Sequence, residues 1–389
     1  MAATASAFEQ IFYKLVTSET LLSKYHTCSN MENLLQGLAA DLGVEGLTST
    51  QLLNMIQQRN KHAIPISLSD LKLCWLPSGY CIQRQQCKWQ LKPQTLPFAP
   101  FYDAQLSQAR GASLLSVLLQ PATELQSLLA QAQGVERVKP VGFIFHLSRC
   151  GSTLMANALA ATGAVQVISE ASFLTDLLLD EALVDEQKII ALQMLFSIFD
   201  LPLLVKFNAW DIGLLPLIRQ AFPDTPVLCL TREPFGILAS HRHLAGIHMV
   251  PKNPVARYLD LPIGDSPLVY RCAVLQKLMT VMRQQYLSAP DLSVQILDYD
   301  RLSPGGTASE DVVERVCGYF SLPPLTASQR QQIRDTIHWD AKMPGQRFIA
   351  KVRDQYYGFD NAEIQFIQQA LMPEYALLQK LPVDGKALF

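Results

Sequence analysis

An α/β fold of three layers around a parallel sheet, preceded by a mainly helical extension, is what the sequence predicts. Three observations predict it. Short apolar strand-like runs recur after Pro140, each followed by a helical pattern, and that alternation builds parallel sheets. The 389 residues exceed one average domain, which leaves room for an extension beside the core. Apolar residues make up 49% of the chain and charged residues 17%, enough to pack an interior and unlike a disordered chain or a charged coiled coil.

In chain order, residues 1–135 form the extension and 136–389 the α/β domain. Asn33–Asp41 and Ser113–Gln120 carry apolar residues at helical spacing. Leu76-Pro-Ser-Gly reads as a turn and Cys81–Leu91 as a short strand pair. Pro93, Pro97 and Pro100 interrupt regular structure beside Phe98, Phe101 and Tyr102, an aromatic group read as a packing knot before a ligand cap. The polar stretch Gln131–Pro140 is the linker. Five strands follow at Val141–Phe145, Val165–Ile168, Leu201–Phe207, Pro226–Leu230 and Ser293–Leu297, with a helix over Leu154–Ala161. In such sheets ligands bind beyond the carboxyl ends of the strands, so the polar residues just after each strand are where chemistry belongs.

The charge sum is −2 and the isoelectric point about 6.4. Nucleic-acid and anionic-membrane partners usually demand a basic excess, so neither is expected, and any anion site must be local. No apolar run reaches the ~18 residues of a membrane helix. The first residues lack a signal-peptide pattern, which predicts a cytoplasmic protein. The eight cysteines include no CxxC pair and read as reduced, mostly buried thiols.

The first strand of the domain runs into His146-Leu-Ser-Arg-Cys-Gly-Ser-Thr-Leu-Met155. Strand, tight glycine turn and helix make an anion cradle, because a helix N-terminus offers free N–H groups and the positive dipole end. Gly151 admits the anion to the backbone, Ser152 and Thr153 add hydroxyls, and Arg149 adds a forked cation. The alternative is a helix merely capped by Ser148 or Ser152. A Walker A loop is excluded, since no lysine stands between glycine and hydroxyl. The fourth strand ends at Arg232, with Pro234 suited to the first helical turn and Ser240 two turns along. An arginine and a hydroxyl so spaced can grip a second phosphate.

SRCGSTLM resembles the 5′-phosphosulfate loop of sulfotransferases that use 3′-phosphoadenosine 5′-phosphosulfate (PAPS), in the RSGTTL form of the tyrosylprotein and bacterial branches. Arg232 and Ser240 are similar to that family's 3′-phosphate pair, and Tyr299-Asp300-Arg301-Leu302 to its late Y-E-x-L element. The three motifs stand in the family's order across roughly residues 140–320, and the extension lies outside the resemblance. The resemblance implies a P-loop-like sulfotransferase core that moves sulfuryl from PAPS to a hydroxyl or amine and releases 3′-phosphoadenosine 5′-phosphate (PAP). It implies that Arg149, Cys150, Gly151, Ser152, Thr153 and Leu154 hold the sulfonate and 5′-phosphate, and that Arg232 and Ser240 hold the 3′-phosphate. Lys206, ending the third strand, matches the lysine beside the bridging oxygen, where charge grows as the bond breaks. Glu170, after the second strand, matches the glutamate base of the tyrosylprotein branch and is preferred over His146. Asn208 stands where the cytosolic branch has its catalytic histidine, a departure from that branch.

His241, Arg242, His243 and His248 cluster after Arg232 and are read as facing the acceptor cleft or solvent rather than a metal, and no metal is needed. Lys342, Arg347, Lys351 and Arg353 form a basic run, either a cover for the nucleotide or a solvated face. The expected acceptor is a small molecule, which the residues do not name, and they do not indicate an oligomeric state. The rivals are a P-loop phosphotransferase using Mg-ATP and a non-catalytic nucleotide-binding module.

Overall fold

Five parallel strands in the order β5-β6-β4-β7-β8 form the sheet of the second unit: β4 (Gly142–His146), β5 (Gln166–Ser169), β6 (Leu203–Lys206), β7 (Val227–Thr231) and β8 (Val294–Asp298). Each lies within two residues of its expected place, because a fully buried parallel strand reads as a short continuous apolar run. In this computed structural model the described residues are 2–133, 138–253, 259, 261, 266–289, 293–302, 310–339, 341–342, 346 and 358–381.

The register brings the chemistry-bearing residues to one edge. Ser169 pairs with Lys206, Ile144 with Lys206, and His146 with Leu230, so Glu170, Lys206, His146 and Arg232 all stand at carboxyl ends. The chain leaves β4 toward β5 and leaves β7 toward β8. Two neighbouring strands whose exits diverge open a crevice between them, and that crevice is where α/β sheets take ligands.

Alternating side chains give the sheet two buried faces. Ile144 joins a cluster with Met155, Leu159, Leu204, Leu228 and Leu297, covered by α1 (Ser152–Ala161) and by helices Glu310–Tyr319 and Ala327–Ile337. Phe143 and Phe145 point the other way and meet Phe207 at 5.5 and 4.9 Å between ring centroids. Helices α2 (Pro234–His243), α3 (Pro267–Leu287) and α4 (Asn361–Gln379) pack with one another as a further layer. Asp298, at the end of β8, accepts from Thr231, Tyr375 and Gln379 at 2.8–3.0 Å and so ties β7, β8 and α4 together.

The other unit comprises Met1–Val138 and also Ala171–Asp200, whereas the sequence division placed 171–200 with the α/β domain. Its helices start where polar caps dictate: Ser18, Asn30, Thr48 and Ser67 each accept the backbone N–H three residues on. The excursion between β5 and β6 joins this unit through Phe173 and Phe199, which pack edge-on against Tyr102 at 5.9 and 6.3 Å. The Tyr80 hydroxyl donates to Asp180 at 2.7 Å, and Lys92 pairs with Asp200. These pairings span about a hundred residues of chain and leave no local pattern.

A small antiparallel sheet, β1 (Trp75–Cys81), β2 (Gln86–Leu91) and β3 (Ala122–Glu124), corrects two expectations. Leu76–Gly79 is strand, not turn, and the hairpin turns at residues 82–85 with Gln85 at φ +50°. Pro77 is tolerated because β1 is an edge strand with its register shifted between Pro77 and Gly79. Within the linker Gln131–Pro140, residues 134–137 lie outside the described residues. Among the described residues no helix is long and apolar enough to cross a membrane.

Candidate active site

The turn after β4 is held in an unusual backbone conformation. Ser148, Arg149 and Gly151 have φ of +70°, +51° and +80°, left-handed values that non-glycine residues adopt only when their surroundings enforce them. Successive N–H groups in such turns converge into an anion-binding concavity. Gly151 is the N-cap of α1 and no side chain caps that helix, so the alternative of a helix simply capped by Ser148 or Ser152 is excluded. The backbone of Ser152 turns in to the Cys150 sulfur, and the N–H groups of Thr153 and Leu154, in the first turn, have no partner within the helix. Cys150 is fully buried and burial pushes its thiol up to about 11, so it contributes backbone rather than a nucleophile.

The late Tyr299–Leu302 element is the floor of this turn. A Cβ on Gly151 would come within 2.8 Å of Leu302 and 3.0 Å of Tyr299. The Tyr299 ring also lies 4.5 Å from the Arg232 guanidinium, whose Nη1 donates to the Arg149 carbonyl at 2.8 Å. Arg232 thus braces the turn from the neighbouring strand end. Its helix α2 begins at Pro234, with Glu233 accepting the N–H groups of Phe235 and Gly236. Ser240 sits on the second turn of α2, and no hydrogen bond joins it to Arg232. Arg149 reaches across to donate to the Leu244 carbonyl at 2.7 Å.

Lys206, Glu170 and His146 form one constellation. The Lys206 side chain is wholly buried and donates to the Glu170 carboxylate and, at 3.3 Å, to Ser169 Oγ. Glu170 has φ +51° and is fixed by its own N–H on the Lys206 carbonyl at 2.7 Å. Burial opposes its ionisation, but Lys206 and His146 outweigh burial and hold the carboxyl well below the usual range. His146 Nδ1 accepts the Ser148 N–H at 3.0 Å, so the neutral ring carries its hydrogen on Nε2, which faces Glu170 at 3.3 Å. Burial, with Lys206 nearby, lowers the His146 pKa and keeps the ring neutral. A ring whose lone pair is taken by the backbone is a poor proton acceptor, which favours Glu170 over His146.

Of the basic run, Arg347, Lys351 and Arg353 lie outside the described residues. Lys342 follows Ala341, whose carbonyl accepts from Asn157 Nδ2 at 2.9 Å. Desolvation by the groups around the Lys342 ammonium, then Arg149, pushes it down to about 8 although the residue as a whole is exposed, with Glu170 acting the other way. A depression of about 650 Å³ in the first unit, with Lys61, Arg84 and Glu124 in its lining, contains none of the residues the motifs nominate. Trp210 belongs to no motif that singles it out in the sequence; it follows β6 on the turn Ala209–Leu214 with its ring 5.3 Å from His248.

No protein-family model matches the chain, and no curated protein matches it. Three solved structures similar to it are sulfotransferases. One, from Mycobacterium avium, is 14% identical and shares 66% of this chain and 80% of its own at a TM-score of 0.39. One from Alicyclobacillus acidocaldarius is 14% identical over 63% of this chain and 96% of its own, TM-score 0.40. A mouse sulfotransferase complexed with PAP is 9% identical over 66% and 91%, TM-score 0.36.

Proposed function

We propose that the chain is a PAPS-dependent sulfotransferase that transfers sulfuryl to a hydroxyl or amine of a small-molecule acceptor and releases PAP. One observation carries this: an uncapped helix N-terminus under a left-handed turn, braced by Arg232, with a buried lysine and an ionised carboxylate at the adjoining strand ends. A Walker-type enzyme would need its lysine in the turn itself.

The turn at Arg149–Leu154 would hold the sulfonate and 5′-phosphate, with Arg149 adding its charge. Arg232 and Ser240 would hold the 3′-phosphate. The acceptor oxygen or nitrogen attacks sulfur in line, its bond to sulfur forming as the bond from sulfur to the bridging oxygen breaks. The electron pair leaves on the 5′-phosphate of PAP, where Lys206 would meet it. Glu170 is already ionised, as a base must be, and takes the acceptor's proton. Its basicity is suppressed while Lys206 sits on it. Drawing Lys206 toward the leaving oxygen would therefore raise the affinity of Glu170 for a proton at the moment the proton departs.

Calorimetric titration with PAP, adenosine 5′-phosphate and Mg-ATP on wild type and Arg232→Ala tests this. Tight PAP binding that needs Arg232, with weak binding of both comparators, is expected. Preference for Mg-ATP would make the chain a phosphotransferase instead. Binding of PAP with no transfer from PAPS to any acceptor class would make it a nucleotide-binding module.

A further inference from the structure

Three nitrogen atoms near the turn remain unused by this chemistry and have no hydrogen-bond partner among the described residues: Trp210 Nε1, His241 Nε2 and His248 Nε2, each buried. Leaving a buried polar group unpaired is costly, so such groups are rare and call for an explanation. Here they occur together. The His248 ring lies 5.3 Å from Trp210 and 5.8 Å from His241, and the three arrive on separate elements. Trp210 follows β6, His241 is in the last turn of α2, and His248 is on the turn Ile247–Met249. Between the histidines a Cβ on Gly246 would stand 3.1 Å from His248 and 3.5 Å from His241.

The hydrogens can be assigned from the backbone. The Gly246 N–H donates to His241 Nδ1 at 3.2 Å, so the neutral ring carries its hydrogen on the unpaired Nε2. An indole N–H only donates. The His248 ring is neutral too, and either of its nitrogens can carry the hydrogen. Burial pushes both histidines down to about 3, and Arg149 and Lys342 press in the same direction. Trp210 Nε1 and His241 Nε2 keep their hydrogens and so cannot ligate a metal, and His248 Nε2 joins them as a donor in its Nε2–H tautomer, which turns this cluster from cation to anion chemistry. The charges around it agree: Arg149, Arg271 and Lys342 act on His241, while Glu170 is the carboxylate that acts on His248.

We infer that Trp210, His241 and His248 form a subsite for an oxyanionic group, a carboxylate or a phosphate, on the acceptor whose hydroxyl or amine receives the sulfuryl group. The inference rests on the sulfuryl-transfer reading for the word acceptor, but the donor cluster stands on its own geometry. It makes the substrate class narrower: an alcohol or amine that also bears an anion, held beside Glu170 by neutral donors backed by cations.

Matched pairs titrated into the full chain, with and without PAP, test the subsite: 4-hydroxyphenylacetate against 4-hydroxyphenethyl alcohol, and glycerol 3-phosphate against glycerol. The pairs also separate carboxylate from phosphate. The anionic member of at least one pair should bind about tenfold or more tighter, the share of one hydrogen bond to a charged group. His241→Phe and Trp210→Phe should each bring that preference down to about threefold or less, with PAP affinity nearly unchanged. Where a variant melts early, the ¹⁵N shift of His241 Nε2 in wild type on adding the anionic member reads the same contact. Absence of preference in both pairs, including no binding at all, overturns the subsite, as does a preference that survives both substitutions in folded protein. If PAP fails to bind while the preference and its loss persist, the sulfuryl-transfer reading falls and the oxyanion subsite stands. If PAP binds without any preference, only the subsite falls.

Discussion

Lys206 and Glu170 meet as a buried ion pair at the sheet edge, and that dependence can be measured. Removing one member of a buried ion pair leaves a desolvated charge, which costs about 3 kcal/mol or more, whereas removing both removes the problem. Lys206→Met and Glu170→Gln should each destabilise the protein by about that much, and the double variant by clearly less than the sum. Urea denaturation of the four proteins checks this, and additive losses would mean that the two charges do not depend on each other. In turnover from PAPS, Lys206→Met should lose about 10²–10³-fold and Glu170→Gln about 10²–10⁴-fold, with little change in PAP affinity. Both residues could be nominated from the sequence because one ends and the other follows an apolar run, at places that match the sulfotransferase resemblance. Their contact was not, since it depends on β5 pairing with β6 so that Ser169 stands across from Lys206. Nor does any residue type announce a glutamate at φ +51°.

Among elements, the turn from β4 into α1 was the most legible, because glycine, hydroxyls and the strand before them lie in one continuous stretch. What supports it was half visible. The Tyr299–Leu302 motif could be matched, but its work as a floor under Gly151 and a stacking surface for Arg232 emerges only from β8 lying beside β7. Gly151→Ala separates the two demands on that residue. It meets both a left-handed φ of +80° and a neighbour at 2.8 Å, while Gly163, at φ +66°, has nothing within 4 Å. Gly163→Ala should therefore cost about 1 kcal/mol of backbone strain, and Gly151→Ala about 2–3 kcal/mol together with at least a tenfold loss of PAP affinity. Denaturant melts and PAP titration of the two variants decide it, and equal costs would show that Leu302 and Tyr299 yield freely. The strand Trp75–Cys81 was misread for the opposite reason: Pro-Ser-Gly is turn chemistry locally, and only the edge position of β1 makes it acceptable in a sheet.

On the scale of the whole molecule, the charge sum of −2 conceals a local excess of Arg149, Lys206, Arg232 and Lys342 at one edge of a sheet. That is why composition could only say that an anion site must be local. The same edge makes stability depend on pH. His241 and His248 titrate near 6.5 when unfolded and near 3 when folded, so between those values the unfolded chain binds protons that the native protein refuses. Stability is thus fully present above about pH 6.5 and falls as pH drops, by about 1.4 kcal/mol per histidine for each unit. Glu170 adds its own loss below its unfolded value of 4.5, because its folded pKa is depressed. His241 is pressed by His248, Arg149, Arg271 and Lys342, and His248 by His146, Arg149 and Lys342 against Glu170, so His248 protonation meets mostly cations. The melting temperature of wild type should decline steadily from pH 6.5 to 4.5, and His248→Phe should flatten that decline. A flat wild-type profile would mean that the ring nitrogens find water on protonation. An oxyanion held by the neutral donors of Trp210, His241 and His248 binds only the native protein, so 4-hydroxyphenylacetate should raise the melting temperature at pH 5.5 as well as at pH 7.5, and a rise that survives His241→Phe would mean that it binds elsewhere.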